Sequence, residues 1–162
     1  MYVKKTLLAL LAGAAIAIST SAVAQTLTYG APITLDAAKK IAAASAAEAK
    51  KQNLTVVISI VDSSGTLTYL EKLDGTQIAS VDVAIGKART ANNFKRPTKV
   101  FEEGVTNGRN VLLSLPEGTL LIEGGSPIIV DNKIVGAIGV SGATSQQDGQ
   151  IAEAGLASLK SK

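Results

Sequence analysis

Four side chains of one segment have the spacing and the chemistry of a binding surface: Ser80, Lys87, Thr90 and Phe94. Steps of seven, three and four residues place them along one stripe of a helix. The stripe carries a cation, hydroxyls and an aromatic ring, which suit a small anionic or planar ligand. We therefore predict that Lys87, Thr90 and Phe94 line a ligand pocket. The alternative is that Lys87 pairs at a subunit contact and that Thr90 is a packed hydroxyl.

The segment Gly124-Gly125-Ser126-Pro127 is the second candidate for ligand contact. Backbone N–H groups around adjacent glycines can form a concave anion site. We predict that Gly124 and Gly125 supply bare backbone to the same pocket. The alternative is a β-bulge that separates two halves of a strand. Gly139, in a later apolar segment, is better explained by close packing of a helix on a sheet.

The residues that are missing restrict the chemistry more than those that are present. The chain has no His, no Cys and no Trp, and Met1 is its only methionine. Catalysis by Ser-His-Asp or Cys-His groups is therefore excluded, as are disulfide bonds and the usual zinc, copper and iron–sulfur sites. No catalytic residue is predicted. An enzyme is the less favoured class because the usual proton carrier at neutral pH is absent.

The elements that must position these residues follow from the apolar patterns. Long helices are predicted over 35–52, 77–94 and 146–160, short ones over 98–115, and strands over 54–61, 66–73, 119–122, 127–130 and 134–141. The core face of the second long helix is predicted to carry Ile78, Val81, Ile85 and Ala88. Consecutive hairpins favour an antiparallel sheet whose faces the helices cover. The predicted fold class is α+β, one domain with a five-stranded antiparallel sheet.

The first 24 residues have the composition of a secretory signal peptide. Lys4 and Lys5 precede an apolar stretch over 7–18 that is too short to span a bilayer, and Ala22-Val23-Ala24 is a small-x-small cleavage site. We predict Sec export, one domain over 25–162, and a periplasmic or secreted protein without a membrane anchor. Without the two lysines, 14 basic residues face 13 acidic ones, so no nucleic-acid partner is expected.

Together these features resemble the GlcG/HbpS family, also called the haem-degrading domain family and found as the carboxy-terminal domain of PduO proteins. The resemblance covers about residues 31–160 and rests on four segments in order: SIVDSSGTLTYLEKLDG, SVDVAIGKARTA, LIEGGSPIIVDNKIVGAIGVSG and the QQD that follows. It implies a profilin-like three-layer fold with helices on both faces of the sheet. It also implies a homo-oligomer larger than a dimer, and haem binding or sensing outside the cytoplasm.

Haem raises the question of an iron ligand. The ordinary ligands are His, Cys, Met and Tyr, and the chain after residue 24 retains only Tyr29 and Tyr69 of these. A tyrosinate could hold the iron, a hydroxyl such as that of a threonine could do so, or no protein atom does. The metal ligand stays open at this point, with Tyr69 as the one named candidate.

Three functions are compatible with the sequence. The favoured one is an exported, oligomeric protein that binds haem or another planar or anionic small molecule. The first alternative is an enzyme or accessory protein that acts on a small hydroxy- or oxo-acid through Lys87, Arg89 or Arg109 with a carboxylate. The second alternative is a purely structural oligomeric subunit.

The signal peptide gives a direct prediction. The exported protein should begin at Gln25, because cleavage follows the small-x-small site at 22–24. Intact-mass analysis of the protein from the periplasmic or culture fraction measures this start. A mass that still includes Met1 in that fraction would contradict the prediction.

Overall fold

The computed structural model describes residues 26–159, and both the predicted signal peptide and its cleavage site lie outside them. The elements are β1 (Thr28–Tyr29), α1 (Leu35–Lys51), β2 (Val57–Asp62), β3 (Leu67–Lys72), α2 (Ser80–Phe94), α3 (Lys99–Thr106), a 3-10 helix (Asn110–Ser114), β4 (Gly125–Val130), β5 (Lys133–Ser141) and α4 (Ser145–Ala157). Within the described residues, no helix is long and apolar enough to cross a bilayer.

Strand β5 is the centre of a five-stranded mixed sheet. It pairs antiparallel with β2 and with β4, and Ile138 lies opposite Ile60 on one side and Ser126 on the other. β2 continues antiparallel to β3, whereas β1 pairs in parallel with the start of β5, where Tyr29 lies opposite Ile134. The α+β class is therefore confirmed. The sheet is mixed rather than antiparallel throughout, because the N-terminal arm contributes β1.

The segment 119–122, predicted as a strand, is irregular. Within the segment the Leu120 N–H donates to a side chain, Thr90 Oγ1, at 2.9 Å, and just beyond it the Glu123 N–H donates to the Glu102 carboxylate. A strand must offer such groups to a neighbouring strand. The segment 119–122 therefore stays out of the sheet, and β1 is the fifth strand.

The turns and caps follow the residue types that the sequence places there. Asp131 and Asn132 both have positive φ, 48° and 59°, as a two-residue type I′ turn between β4 and β5 requires. Thr34 caps α1 by accepting a hydrogen bond from a first-turn N–H. Thr144 caps α4 in a capping box with Gln147. These local devices fix the ends of the elements that surround the site.

Helices cover both faces of the sheet, as expected for three layers. α1 and α4 pack on one face over a large aliphatic core, whose members include Ile41, Ile58, Ile60, Ile138, Val140 and Ile151. α2 packs on the other face over a small cluster: Val61, Ala88, Ala91 and Ala137. Because small side chains alone separate α2 from the sheet, its backbone lies close to β5.

Gly139 makes this close approach possible. A Cβ at position 139 would meet the Ala84 carbonyl oxygen and lie 2.6 Å from the Ala88 nitrogen. The packing explanation of Gly139 is therefore confirmed. The predicted core face of α2 was right at Ala88 and wrong at Ile78, Val81 and Ile85. Next to Gly139 the sheet leaves room only for small residues, so Ala84, Ala88 and Ala91 are buried, whereas Ile78 is 88% exposed and precedes the helix.

Substituting Gly139 by Val tests this contact. The added methyl groups would force α2 away from β5, and overpacking of this kind typically costs about 1–3 kcal/mol, occasionally more. We expect the free energy of unfolding, measured by urea denaturation, to fall by at least that amount. Ala43→Val is the control, since Ala43 is exposed on α1 and this change costs about 0.5 kcal/mol of helix propensity. Equal losses for the two variants would contradict the packing role.

Candidate functional site

Lys87 lies in a buried ion pair. Only 1% of the residue is exposed, and it is the largest fully buried side chain among residues 26–159. Its Nζ donates to Asp148 Oδ2 at 2.8 Å and to the Val140 carbonyl at 3.0 Å. One ammonium group therefore connects α2 with β5 and α4.

Asp148, like its partner Lys87, is buried and hydrogen-bonded. Its Oδ1 accepts the Ala143 N–H at 3.0 Å, and 2% of the residue is exposed. Burial raises the pKa of Asp148 above its ordinary value, while the Lys87 ammonium and the N–H groups of Gly142 and Ala143 act in the opposite direction. Buried charges are stable only when paired and hydrogen-bonded in this way, and this pair links α2 with α4.

Gly124 and Gly125 are packed against Lys87. Gly124 has a φ of +125°, and a Cβ there would lie 2.8 Å from Lys87 Nζ. A Cβ at Gly125 would meet the Lys87 carbonyl. Thr98 forms two hydrogen bonds with Gly125. Its Oγ1 accepts the Gly125 N–H at 2.9 Å, and its own N–H donates to the Gly125 carbonyl. The glycines therefore provide room for the ion pair at the start of β4.

A groove lies on the outer side of α2, and we call it the α2 groove. It has a volume of about 730 Å³ and is bounded by the loop 116–120 and by a stripe of helix residues: Asp82, Val83, Ile85, Gly86, Arg89, Thr90, Asn93 and Phe94. A Cβ at Gly86 would lie 2.8 Å from Leu120 Cγ, so this glycine lets the loop approach the helix. The Thr90 hydroxyl holds the loop through the Leu120 N–H.

Phe94 forms one end of the α2 groove. Its ring packs edge-to-face on Phe101 of α3, with centroids 5.2 Å apart and planes at 71°. Such contacts fix a ring's position. Arg89, exposed on the same helix, donates from Nε to the Gly65 carbonyl at 3.2 Å. It is the one cation among the lining residues of the groove, which also include Asp82 and Glu117.

The five residues predicted to bind ligand are thus divided between two cavities. Thr90 and Phe94 line the α2 groove, whereas Gly124 and Gly125 line a separate cavity of about 460 Å³ between α3, β4 and α4. Lys87 lies between the two cavities and lines neither of them.

Two features of the site were not identified from the sequence. Residues 119 and 120 were predicted to begin a strand, and the loop 116–120 was not identified as a wall of a cavity. Asp148 stands in the QQD segment that carries the family resemblance, yet nothing in that segment indicates its partner, which is 61 positions earlier in the chain.

The described residues offer no evident metal site. Within 26–159 there is no cluster of three or more His, Cys, Asp or Glu side chains. The Tyr69 hydroxyl donates to Glu71 Oε2 at 3.2 Å, and burial raises the pKa of Tyr69, with the Glu71 carboxylate adding to the shift. The Tyr29 hydroxyl donates to the Asn92 carbonyl at 2.9 Å. Neither phenol lines the α2 groove.

Comparison with known proteins places this geometry in context. The family described as haem degrading protein, HbpS-like, matches residues 33–157. The protein GlcG of Escherichia coli K12 is 43% identical over 104 residues, which are 64% of this chain and 77% of GlcG.

Solved structures agree with the sequence relatives. A double-substitution variant of HbpS from Streptomyces reticuli superposes with a TM-score of 0.73 at 30% identity, covering 95% of this chain and 99% of HbpS. A PduOC:haem complex superposes with a TM-score of 0.70 at 26% identity, covering 78% of this chain and 94% of PduOC.

Substitution at Lys87 tests the structural role of the pair. Lys87→Met should lower the free energy of unfolding by about 3–5 kcal/mol, because it leaves the Asp148 charge buried and unpaired. Urea denaturation followed by circular dichroism measures the loss. The double variant Lys87→Met/Asp148→Asn removes both charges and should recover most of the stability. A single variant as stable as the unaltered protein would contradict the assignment.

Proposed function

Since this chain belongs to the HbpS-like family of haem-degrading proteins, we propose that it is an exported, oligomeric protein that binds haem or another planar, anionic small molecule in the α2 groove. The proposal places Thr90 and Phe94 in the ligand site. In this proposal Lys87, Gly124 and Gly125 do not contact the ligand. They hold α2 in position on the side that faces the sheet.

The α2 groove is the observation that carries the proposal. Its volume of about 730 Å³ is within the usual range of small-molecule sites, about 300–1,000 Å³. Phe94 and Leu120 offer apolar surface, and Gly86 leaves a stretch of helix without a side chain. Arg89 offers a guanidinium for an acidic substituent, which must lie beside it because Asp82 and Glu117 also line the groove. A flat, largely apolar molecule with a carboxylate at its edge matches this lining.

Haem fits the groove in part. The apolar lining and the cation suit a porphyrin ring with its propionates. The usual iron donors, however, do not line the groove, and the raised pKa of Tyr69 disfavours its phenolate. We therefore assign no protein ligand to the iron, and the affinity is expected to come from the ring and its carboxylates.

Export and assembly belong to the same proposal. Export is supported by the signal-peptide pattern over 1–24. Assembly is supported by apolar side chains that lie open on the 3-10 helix and the following loop, where Val111 is 65%, Leu113 66% and Ile122 47% exposed. An interface between copies of the chain would remove these side chains from water.

The alternative of an enzyme acting on a small hydroxy- or oxo-acid is less well supported. Lys87, the first cation on which it depends, is buried in an ion pair and lines neither the α2 groove nor the cavity at Gly124. No second observation favours that function over binding.

A haem titration of the mature protein, followed by visible absorbance, tests the proposal. We expect saturable binding, and we expect iron-free protoporphyrin to bind within about tenfold of haem, because no protein atom is assigned to the iron. Arg89→Glu should weaken both about tenfold, or about 1.4 kcal/mol, since it replaces an attractive charge with a repulsive one.

Lys39→Glu is the matched control, because Lys39 is exposed on α1 and far from the groove lining. It makes the same change in net charge and should leave affinity unaltered. If neither haem nor protoporphyrin binds, the proposal is overturned and the structural-subunit alternative is favoured. Equal weakening by the two charge reversals would place the ligand elsewhere.

A further inference from the structure

A second cleft lies at the C-terminal end of α2, where Lys95, Arg96 and Pro97 follow the helix. One part, of about 330 Å³, is lined by Leu27, Lys95, Arg96, Ile129, Leu156 and Leu159 among others. It shares Pro97, Ser126 and Glu153 with the cavity at Gly124 and Gly125, so the two cavities are adjacent parts of this cleft. We call it the β4–α4 cleft.

Two cations stand at one end of this cleft without an acidic partner. Lys95 Nζ donates to the Leu27 carbonyl at 2.9 Å and lies 4.6 Å from the centre of the Tyr29 ring. Arg96 Nε donates to the Phe94 carbonyl at 3.2 Å. Neither side chain forms an ion pair within the part of the chain that the structure describes. Carbonyls and rings orient these charges but leave them uncompensated.

The backbone holds the two cations in place. Lys95 ends α2 in the left-handed region, with a φ of 56°. Residues other than glycine seldom adopt this conformation, and it persists where the surrounding structure fixes it. The turn directs the chain from α2 into Pro97 and brings Arg96 to the rim of the cleft.

Two acidic residues, Glu153 and Glu123, lie at the other end of the cleft, and both already have partners within the protein. Glu153 accepts the Ser126 hydroxyl at 2.8 Å, and Glu123 pairs with Lys99 at 3.4 Å. The floor next to Lys95 and Arg96 is apolar. A ligand that complements this distribution has an anionic head at the cations and an apolar body on the floor.

From this arrangement we infer that the β4–α4 cleft binds a small amphipathic monoanion, a carboxylate on an aliphatic or aromatic body. The head lies beside Lys95 and Arg96, and the body lies over Ile129, Leu156 and Leu159. The cleft is separate from the α2 groove, since the two share no lining residue.

Decanoate is the probe, measured by isothermal titration calorimetry on the mature protein. We expect saturable binding, with one decanoate per chain, and at least tenfold weaker binding of decyltrimethylammonium, which has an alkyl chain of similar length and the opposite charge. Arg96→Gln should weaken decanoate binding about fivefold. Ile129→Glu, which adds an anion to the floor, should weaken it more than tenfold.

Val130→Glu is the matched control. Ile129 and Val130 are adjacent on β4 and similarly exposed, 46% and 42%, but Ile129 alone lines the cleft. Val130→Glu and the groove variant Arg89→Glu should retain decanoate affinity. Absence of saturable binding, equal affinity for the two detergents, or equal effects at 129 and 130 would overturn the inference. Circular dichroism identifies a variant that has not folded, and Arg96→Gln then decides the question by itself.

Discussion

The buried pair of Lys87 and Asp148 is the interaction on which the rest of the structure depends. Moving two charges out of water is costly and is tolerated only when they meet with good geometry and further hydrogen bonds. Here the Val140 carbonyl and the Ala143 N–H supply those bonds. Because the partners come from α2 and α4, which lie on opposite faces of the sheet, the pair fixes how the three layers are placed.

Several small residues are consequences of this constraint. Lys87 can reach Asp148 only if α2 lies close to β5, and Gly139 allows that approach next to Ala84 and Ala88. Gly124 leaves the space that the ammonium fills. Gly124 and Gly125, which were predicted to offer bare backbone to a ligand, therefore pack against Lys87 of the protein itself. The outward face of α2 is left to line the α2 groove, and the β4–α4 cleft begins where that helix ends, at Lys95 and Arg96.

The sequence was sufficient for what is locally encoded. Caps at Thr34 and Thr144, the type I′ turn at Asp131 and Asn132, and the two hairpins depend on neighbouring residues, and all are present. The buried face of α2 was not predictable in this way. Periodicity favours Ile85 over Lys87 for a core position, whereas the close approach of the sheet reverses that preference.

The candidate site was predictable only in part for the same reason. Thr90 and Phe94 lie in one groove, as their helical spacing indicates. Their wall is a loop about 25 residues later in the chain, part of which was predicted to be a strand, and the Thr90 hydroxyl holds it through the Leu120 N–H. Contacts between distant side chains leave no periodic signal, so neither the groove nor the partner of Lys87 could be inferred from spacing.

The central claim is that ligand occupies the outer face of α2 while the buried pair only supports it. Haem affinity of the double variant Lys87→Met/Asp148→Asn tests this claim most directly. Our account predicts a Kd within about twofold of the unaltered protein, because both charges are absent from the groove lining. A folded double variant that no longer binds haem would contradict it and would assign Lys87 to the ligand.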